Sequence, residues 1–217
     1  MTPTSIPEHF SGFPRGAFEF FEELGRHNER DWFRAHQDIY ERECREPMKL
    51  LVAELASNPA KSRIMRINRD LRFSRDKSPY RTYIAAGFDG NYIMISKSGL
   101  YVGAGIYKPE PDTLRRLREA IDSDASGKSL QRIVVTLRRK GYNVDTHAKV
   151  ASAPRGYSAD HPRIDLLRMK DIFAGKSFEP EPWLSTRRAL KRVKDVTRDV
   201  RPLVDWLEVN TVAATPR

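Results

Sequence analysis

Tyr83-Ile84-Ala85-Ala86-Gly87-Phe88-Asp89-Gly90-Asn91-Tyr92-Ile93-Met94-Ile95-Ser96-Lys97-Ser98-Gly99-Leu100-Tyr101-Val102-Gly103-Ala104-Gly105-Ile106-Tyr107 is the stretch from which the fold is read. It is rich in Ile, Tyr and Val and alternates roughly by two, the period of a strand with one covered face. Three strands are expected, at Tyr83–Phe88, Tyr92–Ser96 and Leu100–Tyr107. Asp89-Gly90 joins the first two as a type I′ turn, which needs positive φ at both central residues. Ser98-Gly99 supplies a second turn. Strands so close in sequence pair antiparallel, because a parallel pair needs a crossover of a dozen or more residues. The segment therefore reads as a meander.

On either side the period becomes helical. Arg15 to Arg26 places Phe18, Phe21 and Leu24 on one face. Asn28 is placed to cap a following helix, with Asp31 in its first turn near the positive end of the dipole. That helix carries Trp32, His36, Tyr40, Cys44, Met48, Val52 and Leu55 four residues apart, and Pro47 inside the pattern predicts a kink or a fresh start. Downstream, helices are expected at Pro111–Ile121 and Ser129–Lys140, the second closed by Gly141. Shorter strands are expected within Tyr142–Val150 and Met169–Phe178. A last long helix from about Trp183 carries Leu190, Val193, Val196, Val200, Leu203, Val204 and Leu207 on one side. The class is α+β: an antiparallel meander packed with N-terminal and C-terminal helices. One compact domain is expected over 10–208, between flexible ends at 1–9 and 209–217.

The chain has 217 residues, with 39 Lys and Arg against 29 Asp and Glu, a net charge of +10. Hydrophobic residues at 39% are enough to build a core and argue against disorder. Cys44 is the single cysteine, which excludes an internal disulfide framework and any multi-cysteine zinc site. No apolar run is long enough to cross a bilayer, and residues 1–10 lack the basic-then-apolar order of a secretory signal. A cytoplasmic protein with no membrane partner is expected. The charge is uneven: residues 1–46 hold 6 basic and 10 acidic side chains, and the remainder carries the positive excess. That asymmetry suggests either internal pairing or a basic face kept for an anion.

A dense part of that excess is Arg63-Ile64-Met65-Arg66-Ile67-Asn68-Arg69-Asp70-Leu71-Arg72-Phe73-Ser74-Arg75-Asp76-Lys77-Ser78-Pro79-Tyr80-Arg81. Arginine recurs at every third position from 63 to 75, the period of an extended, polyproline-like loop whose side chains line one edge. Guanidinium groups capture phosphate or carboxylate through paired N–H donors. Arg69, Arg72, Lys77 and Arg81 are the candidate anion contacts, with Ser74 as a neutral donor. Asp70 and Asp76 are candidate orienters or bases. The same residues also suit an Arg–Asp network that pins a long loop to a core, and both readings stand at this point.

Asn68 to Arg81 resembles the signature of the conserved hypothetical proteins of bacteria and fungi grouped as domain of unknown function 2461. Asn28 to Phe33, Gly103-Ala104-Gly105-Ile106-Tyr107, Pro154-Arg155-Gly156-Tyr157 and Asp160-His161-Pro162 fit the same family. Arg26-His27 departs from the consecutive asparagines that more often precede Asn28 there. The similarity extends over about Phe10 to Leu207. It implies a single α+β domain and brings with it no activity, cofactor or catalytic residue.

On the third strand Tyr101, Gly103, Gly105 and Tyr107 share a face. Glycine within a strand marks close approach by a ligand or by another backbone. A shallow floor walled by Tyr101 and Tyr107 would receive a base or sugar while the arginines hold its phosphate; a tightly crossing helix would account for the same glycines. Gly103-Ala104-Gly105 is not a dinucleotide fingerprint, since Lys108 stands where the third glycine belongs. Gly127-Lys128-Ser129 and Gly175-Lys176-Ser177 lack the earlier glycine of a phosphate loop. The five histidines show no HxH or HxxxH spacing, so no metal site is assigned. His161 is read as structuring its loop.

Two function classes follow. One is a pocket for a small phosphorylated or otherwise anionic ligand, where any chemistry would be phosphoryl or phosphodiester transfer. The other is a nucleic-acid module using the basic loop with Arg187, Arg188, Lys191 and Arg198 as an electrostatic track. A partner-binding or structural domain is the third alternative. The sequence names no cofactor, leaves the oligomeric state open, and leaves open whether the protein is an enzyme.

Overall fold

The computed structural model describes residues 9–72 and 74–212. Helices are α1 (Arg15–Arg26), α2 (Arg30–Ala35), α3 (Gln37–Ile39), α4 (Glu46–Leu55), α5 (Pro111–Asp122), α6 (Asp124–Arg139), α7 (Ile164–Leu167) and α8 (Arg188–Thr211). Strands are β1 (Arg63–Ile64), β2 (Tyr83–Phe88), β3 (Asn91–Ser96), β4 (Gly99–Ile106), β5 (Asn143–Asp145) and β6 (Ile172–Phe178). They form one antiparallel six-stranded sheet of order β1-β2-β3-β4-β6-β5, so the fold is α+β. Residues cluster into two compact units, Met1–Val102 with Ser177–Asp195, and Gly103–Lys176 with Val196–Arg217. The N-terminal tail at 1–9 lies outside the described residues except for His9. Of the C-terminal tail, α8 continues to Thr211 and 213–217 lie outside them.

In the first unit β2 and β3 pair from Tyr83↔Ser96 to Phe88↔Asn91 around Asp89-Gly90, whose φ values of 45° and 73° are both positive, as the turn requires. Strand β1 adds outside β2 with Arg63 opposite Gly87. The core gathers Phe10, Phe13, Phe21, Leu24, Met48, Leu51, Ile84, Ile93 and Ile95, all fully buried, each contributing roughly 2 kcal/mol. The helix expected through Pro47 is interrupted. Residues Tyr40–Arg45 form a π-helical turn in which the Glu46 N–H reaches back to the Glu41 carbonyl. Proline has no N–H to donate and clashes with the carbonyl four residues back, so the coil widens before it and α4 restarts at Glu46.

In the second unit α5 and α6 bury Leu117, Ile121, Leu130, Val134 and Leu137. Helix α6 begins at Asp124, five residues before its expected start. The reason is Arg163, whose side chain is 3% exposed. Its Nε donates to the Ile121 carbonyl at 2.6 Å, and its Nη2 donates to the Asp122 carbonyl at 2.6 Å and to Asp124 at 3.1 Å. These bonds satisfy the last carbonyls of α5 and let α6 start at once. Gly141, at φ 78°, closes α6 as expected, with the Tyr142 N–H donating to the Leu137 carbonyl.

Gly127 lies inside α6, where alanine would normally be favoured by about 1 kcal/mol. A Cβ there would stand 2.1 Å from the Ile121 carbonyl oxygen and 2.5 Å from Arg163 Nε. The steric term wins. Gly127→Ala is expected to destabilise the protein by roughly 2–4 kcal/mol in urea unfolding; an equal or higher midpoint would mean that the α5–α6 corner yields freely.

Candidate functional site

The arginine-rich segment folds as an irregular hairpin. After β1, the Met65 N–H donates to the Ala85 carbonyl at 2.8 Å, and Asn68 forms a single antiparallel bridge with Tyr80. The flanking bonds run from the Arg69 N–H to the Pro79 carbonyl and from the Arg81 N–H to the Ile67 carbonyl. A bridge of this type leaves the N–H and C=O of Tyr80 pointing away from its strand partner. The Asn28 carboxamide meets both: Nδ2 donates to the Tyr80 carbonyl and the Tyr80 N–H donates to Oδ1, each at 3.0 Å. Asn28 therefore does not cap α2, whose cap is Glu29 with no side-chain bond. The Tyr80 ring stacks on Phe33 with centroids 4.2 Å apart.

The loop from 70 to 78 is laced by its own charges. Arg69 pairs with Asp76 and donates to Ser74 Oγ at 3.2 Å. Asp76 also accepts the Ser78 N–H at 2.9 Å. Arg72 grips Asp70, Nη2 to Oδ2 at 2.7 Å and Nε to Oδ1 at 3.0 Å, and Lys77 donates to the Leu71 carbonyl. Bonds from Ser78 and then Arg69 hold the Asp76 carboxyl well below the usual carboxylate range. The Arg72 guanidinium holds Asp70 at about 2.

Beside this loop lies an open cavity of about 630 Å³, lined by Gly25, Asn28, Arg69, Asp70, Asp76, Ser78, Tyr80, Arg81, Thr82 and Tyr83. That volume is within the range of small-molecule sites. Of the five arginines spaced by three, Arg69 alone lines it. Strand β1 ends at Ile64 and pairing returns only as a single bridge at Asn68, so the segment is not the continuous extended run that would line up all five along one edge. Arg81 is the second lining cation. Its Nη1 rests 3.9 Å from the Met65 sulfur and its guanidinium carbon 5.9 Å from the Tyr83 ring centroid. Among the described residues no carboxylate pairs with it.

Of the candidate residues, Arg69, Asp70, Asp76 and Arg81 thus meet at one cavity. Arg72, Ser74 and Lys77 brace its loop from outside the lining. Tyr101 is half-buried with its ring 6.1 Å from Tyr92, and burial pushes its hydroxyl pKa up. Gly103, Gly105 and Tyr107 belong to the second unit. At Gly105 a Cβ would fall 2.3 Å from the Ile172 carbonyl oxygen, so its bareness admits a neighbouring backbone. Tyr107 packs edge-on against His147. The aromatic walls of the cavity are Tyr80 and Tyr83, which periodicity along the third strand had no means to indicate. His161 accepts the Arg163 N–H at Nδ1 and lies 3.1 Å from Asp122 at Nε2, a loop brace as expected.

An antiparallel α+β scaffold in which a side chain from the α1–α2 connection splices an arginine hairpin beside an open cavity is the class these features define. The chain belongs to the family described as conserved hypothetical protein (DUF2461), whose model matches residues 16–206. No curated protein and no solved structure matches it. Two of the stretches that carried the resemblance, 28–33 and 68–81, are the two that Asn28 and Phe33 join to Tyr80.

Asn28→Ala leaves both polar groups of the Tyr80 backbone without their partner, at a cost of about 2–3 kcal/mol. Its unfolding midpoint in urea is expected to fall accordingly, with faster hydrogen exchange at Tyr80; unchanged exchange there would refute the splice. For Asp70, the depressed value means the pair with Arg72 is fully formed above the ordinary carboxylate range and is lost as pH falls through about 2. Arg72→Ala is expected to raise the carboxyl carbon titration of Asp70 toward 3.8, stopping short of it because the backbone N–H of residue 72 still donates to Oδ1. A midpoint still near 2 in that variant would assign the effect to another group.

Proposed function

We propose that the cavity beside the 70–78 loop binds a small phosphorylated molecule that also carries hydroxyl groups. The observation that carries this reading is Arg81, a half-exposed guanidinium facing a cavity with no carboxylate partner among the described residues. Arg81 would take the phosphate through paired donors, assisted by the Ser78 and Thr82 hydroxyls. Asp70 and Asp76 keep acceptor capacity for ligand hydroxyls. A carboxylate held near 2 is a poor proton acceptor at neutral pH, so Asp70 is assigned to orientation and binding rather than to general base catalysis. The single cysteine favours a cytoplasmic setting.

The nucleic-acid track loses one of its members, because Arg187 is committed to Glu54 at 2.6 Å and to the Phe10 carbonyl at 2.8 Å. The test is a calorimetric and thermal-shift panel of inorganic phosphate, phosphosugars and nucleoside monophosphates. At least one is expected to bind saturably, with Arg81→Gln weakening it tenfold or more and Arg188→Gln leaving it unchanged. No binding across the panel, or binding indifferent to Arg81→Gln, overturns the proposal. Oligonucleotide binding that falls steeply with salt and weakens in Arg188→Gln would favour the track instead.

A further inference from the structure

The second unit holds another arrangement of ionisable groups, set by strand register. Strands β5 and β6 pair with Asp145 opposite Phe173, and a later bridge sets Lys149 opposite Met169. Both pairs keep the same register, so His147 stands directly opposite Asp171. Directly opposed residues of an antiparallel pair present their side chains on the same face. Between the two paired stretches the backbone of 146–147 leaves the ladder, which resumes where the Lys170 N–H donates to the Ala148 carbonyl at 2.9 Å, and the Asp171 carboxylate replaces the missing partner. Its Oδ1 accepts the His147 N–H and the Thr146 hydroxyl, each at 2.7 Å, and its Oδ2 lies 3.2 Å from His147 Nδ1.

The exposures of the pair are opposite. The Asp171 side chain is 2% exposed, whereas that of His147 is 51% exposed. Phe173 packs at 4.5 Å and Tyr107 edge-on at 4.8 Å between ring centroids, so the imidazole is clamped from two sides. An ionised carboxylate can only accept, which places the ring proton on Nδ1 and the lone pair on Nε2. Among the described residues Nε2 has no partner. His161, by contrast, has both ring nitrogens engaged. An imidazole held in one orientation, with a lone pair turned to solvent, supplies one element of covalent catalysis, a positioned nucleophile.

We propose that His147, positioned by Asp171, is a nucleophilic centre for small acyl esters. Nε2 attacks the ester carbonyl, the carbonyl–oxygen single bond breaks, and the alkoxide or phenolate leaves with its electron pair. Water then cleaves the acyl-imidazolium to a carboxylate and two protons, restoring the neutral ring. Asp171 is a positioning residue, since it acts only through the tautomer and orientation of His147.

The probe is 4-nitrophenyl acetate with the full chain at neutral pH, alongside two-bond hydrogen–nitrogen NMR of the histidine rings. The expected results are an Nδ1–H tautomer for His147 and at least a fivefold loss of ester cleavage in His147→Gln. Far-UV circular dichroism checks that the variant stays folded, which the exposed position of the ring favours. Asp171→Asn is expected to move the proton toward Nε2 and lower cleavage in parallel. Retention of more than half the rate in His147→Gln, or an Nε2–H tautomer in the unsubstituted protein, overturns the proposal; a merely structural loop brace would leave the ester rate untouched.

Discussion

The Asn28 carboxamide is the constraint on which the first unit's candidate site depends. It sits between α1 and α2 and gives and takes one hydrogen bond with the Tyr80 backbone. Without it, the isolated bridge at Asn68–Tyr80 would leave a buried residue's two polar backbone groups unpaired, a cost comparable to losing the hairpin's end. Phe33 seals the same point by stacking on the Tyr80 ring. One polar and one aromatic side chain, five residues apart, thus fix the base of the loop at Tyr80. The cavity exists because that base is rigid while the loop above it folds on its own charges.

Those charges are arranged with economy. Asp76 answers Arg69 and Asp70 answers Arg72, so much of the positive excess along 63–81 is spent in holding the loop's shape. Such exposed pairs contribute little stability individually, because solvent screens them. Their value is geometric: they leave Arg81 as a cation facing the cavity without a carboxylate of its own among the described residues. The network reading of the arginine run is met at Arg69 and Arg72. Arg81 has the spare donors that an anion would use.

Local chemistry made much of the scaffold legible. The positive-φ pair at Asp89-Gly90 announces its hairpin, the helical stripe of α8 recurs at Leu190, Val193, Val196, Val200, Leu203, Val204 and Leu207, and Pro47 forces a restart. What escaped were features decided by distant partners. Asn28 has the composition of a helix cap, and only the orientation of Tyr80, 52 residues away, gives its amide a better use. The early start of α6 depends on Arg163 reaching back to Ile121. The three-residue arginine period is real in the sequence, yet the segment pairs at Arg63–Ile64 and again only at Asn68, so it never becomes the continuous extended run that such a period needs.

A common device underlies both places where reactive or binding groups gather. In each, backbone groups that face no strand are met by a side chain: Asn28 takes the outward N–H and C=O of Tyr80, and Asp171 takes the His147 N–H where the ladder is interrupted. A continuous ladder would have spent those N–H and C=O groups on a neighbouring strand, and nothing would select the direction of the side chains they carry. The substitute partner does more than satisfy a donor. At Tyr80 it holds the strand edge beside Arg81, and at His147 one carboxylate meets both the backbone N–H and ring Nδ1, so rotating the imidazole forfeits the ring's contact while the loop keeps its own. Polar side chains buried to repair a ladder are costly to place. Where one also orients a solvent-facing charge or lone pair, that cost is offset by a geometry that the bare backbone cannot provide.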